Sequence, residues 1–165
     1  LEEWERVCVP YKDFRLINLV VDAYCREGLV EKAVARVDDT IKKGMTPFAN
    51  TWYKLAGGFF MTGQVQKAVD MTRKALASAS SPWKPDLANV LTSLNHFMDH
   101  KDVEAAEEMA SMLQKLVPLT RDVYHSLLKT YVRAGKPVSD LLERMKKDGL
   151  EADEETDRIL AGECK

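Results

Sequence analysis

Two stripes of polar side chains recur in this sequence at helical spacing. Arg15, Asn18, Asp22 and Arg26 fall at i, i+3, i+7 and i+11, on one face of a helix. Asp122, His125, Lys129 and Arg133 repeat the arrangement further along. Guanidinium, amide, imidazole and ammonium groups in line can hold an acidic partner; the plain alternative is the solvated face of a helix. Trp52, Tyr53 and Trp83 offer aromatic faces on which bases can stack. Trp52 falls in a core slot, which leaves Tyr53 as the stacking candidate. His96 and His100 lie at i, i+4 beside Asp99 and Asp102, a spacing capable of holding a metal. With no Glu-x-x-His context and no cysteine close by, they read as two exposed imidazoles at a helix end, and no metal or cofactor is expected. No nucleophile, base and orienting group recur at usable spacing and there is no phosphate loop, so catalysis is not expected.

The elements that must carry these stripes are helices in a repeat. Gly28 and Gly63 keep the same spacing as Ala33 and Ala68, and Lys43-Gly44-Met45-Thr46-Pro47 returns in looser form as Trp83-Lys84-Pro85-Asp86. A period in the mid-thirties marks stacked units, each too small to bury its own apolar face. Ile17, Val21 and Tyr24 form an apolar stripe on a first helix, and Ala33, Val34, Val37 and Ile41 on a second. Gly28 and Gly44 end the two helices. The same pattern places Trp52, Ala56, Phe59 and Phe60 inward, then Val65, Ala68, Val69 and Leu76. The next unit has Val90, Leu94, Phe97 and Met98, then Val103, Ala106, Ala110 and Leu113. The last has Tyr124, Leu128 and Tyr131, then Leu141, Leu142 and Met145. Lys101 replaces the turn glycine, and Thr120 and Asp153 are candidate N-caps. No period-2 run is present, so no strand is predicted. The expected fold is all-α, an α-solenoid of helix–turn–helix repeats. Its units are 14–48, 49–86, 87–119 and 120–153, with 1–13 the tail of a preceding repeat and 154–165 the start of a following one.

Composition narrows the partners. Apolar residues make up 45% of the 165 and charged residues 30%, which describes a folded chain. No apolar run reaches the 18 residues of a membrane span. A net charge of −2 lacks the basic excess of a dedicated nucleic-acid binder. Cys8, Cys25 and Cys164 are odd in number and far apart, which points to a reducing compartment and not to a disulfide framework. The chain opens on Leu1-Glu2-Glu3-Trp4 without Met, and Ala161-Gly162-Glu163-Cys164-Lys165 stops inside what reads as a new helix. The expectation is a piece of a longer protein.

Asn18-Leu19-Val20-Val21-Asp22-Ala23-Tyr24-Cys25-Arg26-Glu27-Gly28, continued by Leu29-Val30-Glu31-Lys32-Ala33 and closed by Lys43-Gly44-Met45-Thr46-Pro47, resembles the pentatricopeptide repeat. The opening Glu3-Trp4-Glu5, followed by Tyr11-Lys12-Asp13-Phe14-Arg15, is similar to plant organellar members built only of 35-residue repeats. The tetratricopeptide repeat is the nearest rival, and Trp52, Leu55, Ala56, Phe59, Ala68 and Ala75 satisfy its pattern as well.

The resemblance implies RNA work in mitochondria, with chloroplasts the alternative. Such repeats read one base each through side chains of the first helix. The family's code uses the fifth and last slots, which here hold Asn18 with Phe48, Tyr53 with Asp86, Leu91 with Leu119, and His125 with Asp153. No pair fits the code. The second slots, Arg15, Asn50, Ala88 and Asp122, hold no branched aliphatic. The resemblance therefore implies contact with the RNA backbone from Arg15, Asn18, Arg26, Tyr53, His125, Lys129 and Arg133. Met61 and Asp99 interrupt that track. The expected role is a subunit of an organellar ribonucleoprotein, a ribosome or another gene-expression complex, bound to single-stranded or ribosomal RNA and to neighbouring proteins. The alternatives are a protein–protein scaffold without RNA and a sequence-specific RNA-processing factor whose reader repeats lie outside this segment.

Overall fold

The computed structural model describes residues 14–162. The tail expected at 1–13, with Cys8 and Cys164, lies outside the described residues. The chain divides into two compact units, 1–85 and 86–165.

The first unit holds α1 (Phe14–Arg26), α2 (Val30–Lys42), α3 (Ala49–Met61) and α4 (Val65–Ala77). Helix α1 packs on α2 as a hairpin and α3 on α4, and α1 lies against α3. The apolar stripe of α1 dictates this. Ile17, Val20, Val21 and Tyr24 are buried against Val30, Ala33 and Val37 of α2 and Leu55 and Phe59 of α3. Ala33 and Ala68 are fully buried, and their small side chains let helices approach. Trp52, expected in the core, is only half-buried on its flank.

The turn after α1 shows why glycine recurs. Gly28 takes φ +72°, and the backbone N–H groups of Gly28 and Leu29 donate to the carbonyls of Cys25 at 3.1 Å and Tyr24 at 2.8 Å. This paired closure satisfies carbonyls that the helix end would orphan, and it needs a left-handed residue.

The second unit holds α5 (Leu87–His100), α6 (Val103–Gln114), α7 (Arg121–Arg133), α8 (Ser139–Lys147) and α9 (Glu154–Leu160). The first helices stack, α5 on α7 and α7 on α9, while α6 and α8 back α5 and α7. Val90, Leu94, Ala106, Ala110, Leu113, Tyr124, Leu128 and Leu141 are buried as their spacing predicts. Lys101 makes the same turn as Gly28, in the left-handed region at φ 56°. Asp153 caps α9 by accepting from the Thr156 N–H at 2.9 Å. Thr120 heads α7 with extended backbone, but its hydroxyl makes no cap bond. Asp86 and Asp102 cap α5 and α6 instead, at 2.9 and 3.0 Å.

The fold class is therefore all-α, built as a solenoid of helix–turn–helix repeats. No strand occurs among the described residues, and none of their helices is long and apolar enough to cross a membrane.

Candidate functional site

The polar stripe of α1 runs along its contact with α3. Asn18 is buried there, and its amide oxygen accepts a hydrogen bond from the Thr51 hydroxyl at 2.7 Å. Asp22 takes Lys54 of α3 on one oxygen and Arg26 on the other, each at 2.6 Å. Arg26 is 76% exposed all the same, because its partner lies one turn back on its own helix. Arg15 is exposed at the start of α1. Tyr53 is half-buried and meets Trp83 edge to face, with ring centroids 6.1 Å apart, so that one of its surfaces already has an aromatic neighbour.

In the second unit the stripe of α7 is cross-linked to both neighbouring first helices. Arg133 reaches Asp99 of α5 at 2.9 Å. Lys129 reaches Glu155 of α9 at 3.2 Å. The His125 Nε2 lies 3.0 Å from the Thr156 hydroxyl and 3.4 Å from the Asp153 carboxylate. Arg121 approaches the same carboxylate at 3.1 Å and donates to the carbonyl of Glu151. Asp153 is held down to about pKa 2, chiefly by the Thr156 N–H, then by the Thr156 hydroxyl, Arg121 and His125. Asp99, which interrupts the expected track of cations, is here the partner of one of them.

The seven expected contact residues thus share the first-helix face of each unit but not one environment. Asn18 and His125 are engaged inside their stacks. Lys129 and Arg133 are matched by carboxylates of adjacent helices. Arg15 and Arg26 are the exposed cations of the set, Arg26 with most of its side chain in solvent. The partners Thr51, Lys54, Arg121 and Glu155 carry no motif. A signal for them does exist, since Asn18–Thr51, Asp22–Lys54, Asp99–Arg133 and His125–Thr156 are separated by 33, 32, 34 and 31 residues. Complementary side chains just under one period apart are what stacked first helices bring together.

Three other groups sort out chemically. Cys25 is buried, and burial followed by the Asp22 charge pushes its thiol up to about 11, which makes it a packing residue and not a nucleophile. The His96 and His100 rings lie 4.2 Å apart, and the His100 Nδ1 is 2.8 Å from the His96 carbonyl, which occupies one ring nitrogen. No cluster of three or more metal-ligating side chains forms among the described residues. Behind α7, Glu107 of α6 receives Arg144 of α8 on both oxygens at 2.9 Å and the Tyr131 hydroxyl at 2.8 Å. This knot ties three helices together.

Comparison with known proteins agrees with the repeat geometry. A family model described as the PPR repeat matches residues 17–45, the segment of α1, its glycine turn and α2. Two Arabidopsis thaliana proteins named as mitochondrial pentatricopeptide repeat-containing proteins are each 30% identical over 98% of this chain, which covers 32% and 33% of their lengths. The Arabidopsis thaliana large ribosomal subunit protein mL101 is 27% identical over 96% of this chain and 33% of its own length. The chain spans about a third of the length of these curated relatives. With hairpins, glycine turns and relatives in agreement, the chain belongs to the pentatricopeptide repeat family, as a plant member of the mitochondrial group.

Proposed function

We propose that this chain is a helical-repeat part of a mitochondrial ribonucleoprotein, which touches RNA chiefly at its phosphates and holds neighbouring proteins through its other faces. In this reading 14–48, 49–86, 87–119 and 120–153 are its repeats, with 1–13 and 154–165 belonging to repeats on either side. The observation that carries the reading is the engagement of the side chains that base recognition needs. Asn18 directs its amide oxygen to Thr51, His125 faces Thr156 and Asp153, and Asp86 and Asp153 cap helices. The side chains of Phe48 and Leu119 have no polar atoms with which to read a base edge. Charge is what remains, and charge contacts position RNA without reading it. The ribosomal name of one relative makes a ribosome the first complex to examine.

A second reading, a protein scaffold without RNA, has its own support. Arg121, Lys129 and Arg133 of α7 all face carboxylates, so that stretch offers phosphate little unmatched charge. No catalytic role is assigned in either reading. Crosslinking RNA to the native complex and mapping the crosslinked peptides separates them. Crosslinks near Arg15, Arg26 and Tyr53 are expected. A complex that carries no RNA, or crosslinks only to its other subunits, overturns the first reading in favour of the scaffold.

A further inference from the structure

Away from the first-helix face, α2 and α4 do not pack on each other, and they leave a groove of about 420 Å³. Leu55 and Phe59 of α3 floor it, with half-buried Trp52 beside them. Val34 of α2 and Met71 of α4 are its half-buried apolar shoulders, and Ile41 stands 39% exposed at its edge. Aromatic and Met surface exposed in a concave strip is the composition of a protein-binding core, not of a solvated one.

The two borders differ in charge. On the α2 side the charged lining residues are Glu31 and Asp38, at i and i+7, and no cation of α2 lines the groove. Asp38 is exposed and forms no ion pair among the described residues. On the α4 side Lys67, Asp70 and Lys74 alternate. The two ammonium groups lie over the Phe59 and Trp52 rings, at 5.4 and 4.9 Å from their centroids. Gln64 links the borders, donating to Glu31 at 2.8 Å and accepting from Lys67 at 2.7 Å.

We propose that this groove is a docking site for an amphipathic helix of a neighbouring protein, with Lys or Arg along one border of its apolar stripe and mainly Asp or Glu along the other. The walls are helices with no unpaired edge, which rules out strand addition and leaves side-chain packing as the mode of recognition. Glu31 to Ile41 spans about 15 Å at 1.5 Å per residue, so a partner helix of about three turns fills the length. Its apolar stripe settles on Trp52 and Met71. Its basic border meets Glu31 and Asp38, and its acidic border meets Lys67 and Lys74, which the incoming helix lifts off the aromatic rings. The inference goes beyond RNA contact and uses no residue of the first-helix stripe.

Two measurements on the full-length protein test it. Three synthetic helical peptides share one apolar stripe and carry mixed, all-Lys or all-Glu borders. The mixed peptide should bind saturably, and at least tenfold more tightly than the all-Glu peptide. Asp38→Lys, an exposed change whose fold is checked by circular dichroism, should reduce mixed-peptide binding at least tenfold and improve all-Glu binding. No saturable binding, equal binding of mixed and all-Glu peptides, or a ranking unmoved by Asp38→Lys overturns the proposal. In the second, a photo-crosslinking amino acid at Ile41 in the mitochondrial complex should label a segment of another protein with the stated borders. Labelling of RNA, of a second copy of this chain, or of a segment without those borders overturns it. RNA titrations report separately on the first-helix face, so failure of one proposal is distinguishable from failure of the other.

Discussion

At Gly58 helix α3 approaches α1 closely. A Cβ placed there would lie 2.6 Å from the Cys25 sulfur and 3.0 Å from its Cβ. Alanine in a helix interior is favoured over glycine by roughly 0.5–1 kcal/mol. Overpacking a well-filled contact costs about 1–3 kcal/mol, so the clash wins. Gly58→Ala should lower stability by about 1 kcal/mol in urea unfolding, on balance of those two effects. Combining it with Cys25→Ala should cost less than the two single changes together, because the sulfur is the nearest obstacle. An additive pair would mean that the helices separate without regard to Cys25. Asp153 provides a second test at this scale. Its carboxyl is held at about 2 against an ordinary 3.8, first by the Thr156 N–H. A lowered folded pKa stabilises above the ordinary value, and the contribution disappears as pH falls through the folded one. Unfolding free energy should therefore drop between pH 3.8 and about 2. Asp153→Asn keeps a cap acceptor while removing the charge, and it should flatten that part of the profile. An unchanged acid limb would show that other carboxylates account for it.

Helix ends divide the elements into those that sequence announces and those that only stacking reveals. The glycine spacing places the ends of α1 and α3, and the apolar stripe of Val65, Ala68, Val69 and Leu76 places α4, because both signals are local. The burial of Asn18, the approach at Gly58 and the groove between α2 and α4 depend on how one hairpin sits on the next, so no local pattern contains them. Asp86 and Asp102 are capping residue types at the right places, yet a loop that carries Lys84 and Lys101 beside them gives no reason to favour a cap over solvation. Thr120 shows the converse, an apt residue type whose hydroxyl does not cap. Lys101 tests the element logic directly. It closes α5 in the left-handed region, where a side chain costs roughly 1–2 kcal/mol. Glycine removes that strain but adds freedom to the unfolded chain, which returns roughly 0.5–1 kcal/mol. Lys101→Gly should raise stability by about 0.5–1 kcal/mol after that offset. A loss of stability on thermal unfolding would place a contribution of the lysine side chain above the backbone strain.

Across the whole molecule the first-helix faces are unequal, and RNA binding should be unequal with them. Arg26 keeps 76% of its side chain exposed and shares Asp22 with Lys54, so two cations meet one carboxylate there. Arg133 is 32% exposed and pairs with Asp99, and Lys129 is matched with Glu155. Neutralised cations release few counterions from a bound strand, so the salt dependence should be shallow. With about two phosphates neutralised at roughly 0.7 each, log K should fall with log salt at a slope near −1.4. Phosphate contacts carry no base information, so homopolymers should differ by less than about tenfold, roughly 1.4 kcal/mol. Arg26→Glu should weaken binding clearly. Arg133→Glu should change it less, since the charge removed is already matched, and its larger effect should be on stability, where a new carboxylate faces Asp99. Exposed pairs contribute about 0.2–1 kcal/mol, and replacing attraction by repulsion should at least reach that range. Helix content should remain in both variants. If Arg133→Glu weakens RNA binding as much as Arg26→Glu, the α7–Asp99 pair opens on binding and the second unit takes a full share of the strand. If neither variant moves it, the stripe is a solvated face and the protein-scaffold reading becomes the better account of the molecule.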